Sequence, residues 1–182
     1  LINASRLAAG LEVSSQTVSR YLDLLVDLLL VRRLQPYHIN IGKRLVKSPK
    51  VYIRDSGLLH ALLNIGDRET LLGHPVVGAS WEGFVIENLI NAAPARCVPG
   101  FYRTSGGAEL DLLLELPGGA RWAIEVKRSR AAKPSRGFYE ACEDLQPSRC
   151  FVVHAGLERY PISTQVEAIG LAELATMLSQ LE

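Results

Sequence analysis

The stretch ELDLLLELPGGARWAIEVK, residues 109–127, decides the fold of the second half of the chain. Two apolar runs flank the Pro-Gly-Gly segment 117–119, a combination that predicts a β-hairpin with a three-residue turn. Side chains alternate along a strand, so Glu125 and Lys127 point to the same face of the second strand. Asp111 lies on the first strand, fourteen residues before Glu125, and the turn can bring the two carboxylates close together.

These three side chains are the residue types that hydrolysis of a phosphodiester requires. Carboxylates such as Asp111 and Glu125 are hard oxygen ligands for Mg²⁺ or Mn²⁺. A bound metal of this kind activates water, while the ammonium of Lys127 can orient that water or the scissile phosphate. We therefore predict that Asp111, Glu125 and Lys127 are catalytic. The alternative is an exposed Glu125–Lys127 ion pair, which would contribute little to stability.

A third carboxylate comes from the helix predicted at residues 80–91. The residues three, four and seven positions after Glu82 are aliphatic, so Glu82 lies in the middle of the apolar side of this helix. An unpaired carboxylate against a core is costly, which indicates a partner, either a metal or a base such as Arg103. We prefer Glu82 to Glu87 as the third metal ligand. Arg103 and Ser129 are predicted to support the site.

The elements predicted for the second half follow the order α-β-β-β-α-β. They are a helix at 80–91, strands at 101–104, 109–116 and 120–127, a helix at 135–145 and an apolar strand at 150–154. A strand at 165–169 and a closing helix at 171–181 are predicted after them. A polar loop at 64–75 separates the two halves, so we predict two domains, 1–65 and 76–182.

The first half predicts a helix, a tight turn, a second helix and a β-hairpin with a basic loop. The elements are helices at 3–10 and 14–30, strands at 31–37 and 51–54 around a loop at 41–50, and a helix at 56–63. Asn3 or Ser5, Ser14 or Ser15, and Asp55 are placed to cap the three helices. This is the order of a truncated winged helix-turn-helix, whose missing first helix we expect upstream of this sequence.

The basic character of the first half favours a nucleic-acid partner. Residues 1–54 carry a net charge of +6, and the rest of the chain carries −5. We predict DNA contacts from the second helix, taken as the recognition helix, and from the wing loop. The residues are Gln16, Thr17, Arg20, Lys43, Arg44, Lys47 and Lys50. A solvated basic face, or a winged helix used as a hinge or for protein interaction, is the alternative.

Composition and cysteine count restrict the remaining classes. With 48% hydrophobic and 21% charged residues, the chain has the composition of a globular protein. Cys97, Cys142 and Cys150 have no metal-binding or disulfide spacing, which favours a reducing cytoplasm. The sequence has no apolar run of the ~20 residues that span a bilayer and no signal peptide, so no membrane partner is expected.

Seven short motifs are distributed over nearly the whole chain. They are VSRYL at 18–22, KSPKVY at 47–52, DSGLL at 55–59, WEGFV at 81–85, YRT at 102–104, ELD at 109–111 and IEVKRS at 124–129. In combination they resemble the C-terminal region of a large family of prokaryotic AAA-type ATPases, a region catalogued as a domain of unknown function.

The resemblance implies an architecture and a site. In this family an ATPase module precedes a winged helix and a PD-(D/E)XK nuclease-like domain, whose site positions correspond to Glu82, Asp111, Glu125 and Lys127. The expected fold is therefore α/β, a truncated winged helix-turn-helix followed by a restriction-endonuclease-like α-β-β-β-α-β core. The sequence has no GxxxxGK[ST] phosphate loop, so we expect no ATP site of that kind in this chain.

Together these patterns give a leading hypothesis and two alternatives. The leading one is a C-terminal DNA-interacting module of an AAA-type ATPase with a Mg²⁺- or Mn²⁺-dependent phosphodiesterase site. Its expected partners are DNA and the ATPase module of the same full-length chain, and an oligomer is compatible with this arrangement. The alternatives are a catalytically inactive nuclease fold that serves as an interaction scaffold, and a regulatory lid for the ATPase.

Overall fold

The computed structural model describes residues 3–39 and 42–181 and has a mixed α/β architecture. The helices are α1 (Ala4–Gly10), α2 (Ser15–Asp27), α3 (Ser56–Leu62), α4 (Arg68–Gly73), α5 (Val77–Ala92), α6 (Arg136–Leu145) and α7 (Leu171–Ser179). The strands are β1 (Val31–Leu34), β2 (Lys50–Ile53), β3 (Val98–Arg103), β4 (Glu109–Glu115), β5 (Arg121–Val126), β6 (Arg149–His154), β7 (Tyr160–Pro161) and β8 (Val166–Gly170). The α-β-β-β-α-β order predicted for the second half is present from α5 to β6.

The larger sheet has six strands in the order β3-β4-β5-β6-β8-β7. Strands β3, β4 and β5 are antiparallel neighbours, β6 and β8 continue the sheet parallel to β5, and β7 adds an antiparallel edge. The β4–β5 hairpin closes at Gly118 and Gly119, which both have positive φ and so suit the predicted turn. Leu112 of β4 pairs with Ile124 of β5, which fixes the register on which the candidate site depends.

Helices cover both faces of this sheet. Helices α5 and α7 pack on one face and share a core with Leu112 and Ile124, and α6 packs on the other face with Phe138 against Tyr102 and Leu113. Full burial of such a side chain contributes about 1.5–3 kcal/mol relative to exposure. Strands β5 and β6 are apolar along most of their length because both of their faces are covered.

In the first part of the chain, α2 packs on β1 and α3 on β2, and α1 packs on α2. Asn3, Ser14 and Asp55 cap these helices, and each side chain accepts a hydrogen bond from the backbone N–H three residues later. β1 and β2 are antiparallel, with Val31 opposite Ile53. The predicted order of helix, helix and hairpin is therefore present.

The connection between β1 and β2, which contains the predicted basic loop, lies along the edge of the larger sheet. The backbone N–H of Tyr37 donates to the carbonyl of Phe101 at 2.7 Å, and Phe101 donates to the carbonyl of Gln35 at 3.0 Å. Further along, the N–H of Val46 donates to the carbonyl of Arg103 at 2.9 Å. These bonds cover an edge strand whose polar groups would otherwise be unpaired. Residue 41, the first of the predicted loop, and residue 40 before it lie outside the described residues.

Some element boundaries differ from the prediction. The strand predicted at 31–37 ends at Leu34, because the chain then leaves β2 and pairs with β3. The loop predicted at 64–75 contains α4, which Asp67 caps by accepting hydrogen bonds from the backbone and hydroxyl of Thr70. Strand β7 was not predicted, because two residues give no periodic pattern. Within the described ranges, none of the helices has the length and apolar content needed to cross a bilayer.

Candidate functional site

A buried lysine lies among carboxylates where β2, α5 and β4 meet. The Nζ atom of Lys50 is 2.9 Å from Glu82 Oε1, 3.1 Å from Asp111 Oδ1 and 3.6 Å from Glu109 Oε1. The Lys50 side chain is only 9% exposed, so solvent screens these contacts weakly. Burial alone would lower the pKa of Lys50, but the charges of Asp111 and Glu82 outweigh burial and raise that pKa.

Tyr52 is a second contribution of the hairpin to this cluster. It lies two residues after Lys50 on β2 and therefore on the same face of the strand. Its hydroxyl donates to Glu82 Oε1 at 2.6 Å, and burial together with the charge of Glu82 raises the pKa of this phenol. A Cβ at Gly83 would lie 3.1 Å from Tyr52 Cδ1, so the glycine allows the ring to pack closely on α5.

Glu125 and Lys127 form a second group at the end of β5. Lys127 Nζ is 2.7 Å from Glu125 Oε1. Glu125 is buried and also accepts a hydrogen bond from the backbone N–H of Ser135, the N-cap of α6, at 3.0 Å. The helix N-terminus stabilises a negative charge, which favours this orientation of the carboxylate toward α6.

The carboxylates around Lys50 and the Glu125–Lys127 pair are neighbours across the β4–β5 pairing. Asp111 Oδ2 accepts a hydrogen bond from the backbone N–H of Val126 at 3.0 Å, so it lies beside the residue between Glu125 and Lys127. Within the described part of the chain, however, no three acidic, histidine or cysteine side chains come close enough to hold a metal together. That Glu82, Asp111 and Glu125 together hold a metal therefore stays a prediction. The first two meet at the hairpin lysine, and the third is turned toward α6.

The donor chemistry of the first two carboxylates does fit a divalent cation. Oxygens of Glu82 and Asp111 lie 2.9 and 3.1 Å from one point, the Nζ atom of Lys50. Carboxylate oxygens are preferred ligands of Mg²⁺ and Mn²⁺. The chemistry of these two donors therefore fits such an ion, at a point that the Lys50 ammonium occupies.

The helix that carries Glu82 is joined directly to the end of β5. The indole N–H of Trp81 donates to the carbonyl of Lys127 at 3.1 Å. Because Trp81 precedes Glu82, this bond fixes the helical carboxylate relative to the strand that carries Glu125 and Lys127. The two groups of charged side chains therefore belong to one region.

The two residues predicted to support the site differ in their placement. Arg103 Nη1 is 3.5 Å from Glu109 Oε1, the same oxygen that lies near Lys50, so Arg103 borders the first group. Ser129 is exposed after the end of β5, and its side chain forms no hydrogen bond within the described residues. The structure thus brings Arg103 to the site and leaves Ser129 at its margin.

Glu87 anchors the β1–β2 hairpin, which carries Lys50. It is buried and accepts hydrogen bonds from the guanidinium groups of Arg32 on β1 and Arg54 after β2, with Arg54 Nε at 2.6 Å. Burial alone would raise the pKa of Glu87, but the hydrogen bonds from the two arginines outweigh burial and lower that pKa. This network holds both strands of the hairpin on α5.

Comparison with known proteins assigns the chain to a family. Residues 77–174, more than half of the chain, match the profile of a domain of unknown function, DUF4143. The chain belongs to the DUF4143 family. Residues 1–69 match the profile of another domain of unknown function, DUF8612. Lys50 and Tyr52 come from the DUF8612 region, whereas Glu82, Asp111, Glu125 and Lys127 come from the DUF4143 region.

Two mycobacterial proteins resemble almost all of this DUF4143 chain. An uncharacterized protein of Mycobacterium bovis and one of Mycobacterium tuberculosis are each 46% identical to it over 177 residues, 97% of the chain. The chain spans 40% of the length of these relatives. No solved structure matches it significantly.

The residues predicted to contact DNA through the second helix lie near the start of α2. Gln16 and Arg20 are exposed, whereas Thr17 is half-buried. The backbone N–H of Thr17 donates to the capping hydroxyl of Ser14. The helix therefore presents Gln16 and Arg20 to solvent, and Thr17 contributes to its first turn.

The four lysines and arginines of the predicted wing have three different environments. Arg44 and Lys47 are exposed, and Lys43 Nζ forms an ion pair with Asp144 of α6 at 2.6 Å. Lys50 is buried among carboxylates. The prediction that Lys50 contacts phosphates from an exposed loop is therefore corrected, because Lys50 begins a strand that packs against α5 of the DUF4143 region.

The place of Lys50 and Tyr52 was missed at the sequence level, although a signal was present. The strand was predicted to begin at Val51, which assigned Lys50 to the loop. With a start one residue earlier, alternation puts Lys50 and Tyr52 together on the face opposite Val51. The hydrogen bond from the backbone N–H of Ser135 to Glu125 could not be predicted from the local sequence, which indicates only the capping serine. This bond depends on how α6 packs against β5.

Proposed function

We propose that this DUF4143 chain is the C-terminal DNA-interacting module of a longer AAA-type ATPase and carries a Mg²⁺- or Mn²⁺-dependent phosphodiesterase site. The observation that carries this proposal is the convergence of Glu82 and Asp111 on one cationic group, next to the Glu125–Lys127 pair. In the PD-(D/E)XK family that the sequence resembles, these four positions form the nuclease site. The α-β-β-β-α-β order from α5 to β6 supports the same assignment.

Each charged residue has a role in this proposal. Glu82, Asp111 and Glu125 would hold the metal, which when bound would supply an activated water and stabilise the leaving oxygen. Lys127 donates a hydrogen bond to the water or to a phosphate oxygen and offsets the negative charge that develops there. Arg103, at the border of the site, attracts the phosphate backbone of the substrate.

The proposed DNA contacts come from the DUF8612 region, as a truncated winged helix-turn-helix. Arg20, Arg44 and Lys47 are exposed cations of this region, and residues 1–54 carry a net charge of +6. Such groups bind phosphates by displacing condensed counterions. The chain spans 40% of its mycobacterial relatives, which leaves a length in which the proposed ATPase module would lie.

A catalytically inactive scaffold is the second candidate function. Two observations favour it: an ammonium lies between Glu82 and Asp111, and Glu125 is held by Lys127 and the N-terminus of α6. On this alternative the charged groups stabilise the packing of the hairpin on the sheet. The chain would then serve protein interaction or ATPase regulation.

A cleavage assay tests the proposed function. The chain is incubated with single- or double-stranded DNA and Mg²⁺ or Mn²⁺, and the rates are compared with those of Glu125→Gln and Lys127→Met. We expect each substitution to lower the cleavage rate about a hundredfold, because each removes a group that acts on the transition state. Glu140→Gln, which removes an acid of the exposed pair with Arg136 on α6, should leave the rate unchanged.

The same assay can contradict the proposal in two ways. Cleavage that proceeds at the same rate in Glu125→Gln and Lys127→Met would remove both residues from the catalytic site. If neither the wild-type chain nor a Lys50→Gln variant cleaves DNA while both remain folded, the scaffold is the better description.

A further inference from the structure

Lys50 reaches the carboxylates from a different region of the chain. It is the first residue of β2, in the hairpin matched by the DUF8612 profile, whereas Glu82 and Asp111 belong to the DUF4143 region. Arg32 and Arg54 of the same hairpin bind Glu87, and Tyr52 binds Glu82. The position of the hairpin on α5 therefore determines whether the ammonium is in the site.

The ammonium and a metal ion would compete for the same oxygens. Lys50 Nζ lies 2.9 Å from Glu82 Oε1 and 3.1 Å from Asp111 Oδ1. Mg²⁺ binds carboxylate oxygens at about 2.0–2.1 Å, so these two oxygens cannot ligate one ion while the ammonium lies between them. Two cations this close in a buried site also repel each other strongly.

We propose that Lys50 is a built-in competitor of the metal, and that the site takes up a divalent cation only when the β1–β2 hairpin withdraws this ammonium. The inference rests on the proposed function, because it concerns the occupancy of the same site. It makes the hairpin the regulatory element. A ligand of the first part of the chain that shifts the hairpin on α5 would free Glu82 and Asp111.

DNA is the ligand whose chemistry suits this regulation. The anchors of the hairpin are guanidinium groups, and the side chains of Arg32 and Arg54 are 20% and 24% exposed. Guanidinium groups bind phosphates in the same forked geometry as carboxylates. Phosphates that take these arginines from Glu87 would loosen the hairpin, so binding of the substrate would favour loading of the metal.

Metal binding by charge-altered variants tests the competition. Mn²⁺ is titrated by calorimetry into the wild-type chain and into Lys50→Gln, Lys50→Arg and Arg68→Gln variants. We expect Lys50→Gln to bind Mn²⁺ at least roughly tenfold tighter than wild type, because a like charge beside two ligands is removed. Lys50→Arg keeps the charge and should bind no tighter than wild type. Arg68→Gln removes an exposed cation of α4 and should also match wild type.

The outcomes distinguish this inference from the proposed function. If Lys50→Gln binds Mn²⁺ more tightly than wild type, and the double variant Lys50→Gln/Asp111→Asn does not bind it, the result supports both the competition and the proposed metal site. If wild type and Lys50→Gln bind Mn²⁺ with equal affinity and Asp111→Asn does not bind it, the competition is overturned. The proposed metal site is then still supported. Absence of Mn²⁺ binding in every variant overturns both.

A second measurement uses the wild-type chain and does not depend on the folding of a variant. The amines are acylated with a water-soluble ester, and labelling of each lysine is followed by mass spectrometry. We expect Lys50 to be protected without metal and to be labelled several-fold faster when Mn²⁺ is bound, while exposed Lys47 reacts equally in both conditions. Unchanged protection of Lys50 in the presence of saturating Mn²⁺ would overturn the inference.

Discussion

Glu87 is the residue that connects the two regions of the chain most directly. The residue is 8% exposed, and its carboxylate accepts hydrogen bonds from Arg32 on β1 and from Arg54 just after β2. Such an arrangement is costly to break from one side, because the remaining charges lose their partner in a poorly hydrated place. The residue is therefore structural, and its effects should appear in stability and in pH dependence.

Glu87→Gln should lower the free energy of unfolding by about 2 kcal/mol at neutral pH. This loss is smaller than that for breaking a fully buried ion pair, because both arginines are partly exposed. The folded pKa of Glu87 lies below its ordinary value of 4.5. The ionised Glu87 carboxylate therefore contributes fully to stability above about pH 4.5, and this contribution is lost as the pH falls through the pKa of the folded state. Urea unfolding should show a steeper loss of stability below pH 4.5 in wild type than in Glu87→Gln. Equal slopes would contradict this role, and Glu140→Gln provides the exposed control.

Single-residue assignments could be predicted where the signal was local. Alternation along β5 predicts that Glu125 lies beside Lys127, and their charged atoms are 2.7 Å apart. The apolar stripe of α5 indicates a partner for Glu82, but it does not indicate that Glu87 is the buried carboxylate of this helix. The partner of Glu82 could not be predicted in this way. Lys50 lies thirty-two residues earlier, and its contact depends on how the hairpin packs on α5.

At the scale of elements, the connection between β1 and β2 has two structural roles. It completes the hairpin, and it pairs with the edge of β3 through Gln35, Tyr37 and Val46. A wing fixed in this way presents a defined surface, on which Arg44 and Lys47 are exposed. If the first part of the chain binds DNA, these two residues lie on a surface that pairs with the edge of β3.

The double variant Arg44→Ala/Lys47→Ala should therefore bind DNA more weakly and with a smaller dependence on salt. Loss of two phosphate contacts should reduce the slope of log affinity against log salt by about 2. Fluorescence anisotropy with a duplex at several salt concentrations measures both quantities. Lys133→Ala, an exposed lysine before α6, serves as the control and should leave the slope unchanged. An unaltered slope in the double variant would exclude these residues from the interface.

The order of the elements could be predicted from the sequence, but their junctions could not. Helix caps, turn glycines and apolar periodicity are local features of the sequence. They are sufficient to predict most helices, the β4–β5 turn and the α-β-β-β-α-β order. The sequence predicts a loop where α4 lies, because six residues are too few for a periodic pattern. The pairing of residues 35–46 with β3 is non-local, and no property of either segment indicates it.

At the scale of the whole molecule, the first part of the chain has an apolar surface that the described residues do not cover. Leu11, Tyr21, Leu24, Leu28 and Leu29 are all at least half exposed. Apolar patches of this kind mark interaction surfaces or promote association. In the proposed full-length protein this surface would be available to the ATPase module.

The isolated chain should therefore associate at high concentration, and Leu24→Gln/Leu28→Gln should weaken that association. Exposed substitutions usually change stability by less than about 0.5 kcal/mol, so the fold should be retained. Analytical ultracentrifugation over a range of concentrations measures the effect. Leu157→Gln, at a single leucine that is 85% exposed, should leave association unchanged. A wild-type chain that stays monomeric throughout the range would contradict the expectation.

The hydrogen bond from Trp81 to the Lys127 carbonyl gives the molecule an optical reporter of its own. Indole emission responds to nearby charge and hydration, and this indole lies between the helix of Glu82 and the strand end of Glu125. The second indole, Trp122, is enclosed in the core beside Phe151 and supplies a nearly constant background. Events at the charged region can therefore be followed in real time by intrinsic fluorescence, without attaching a dye.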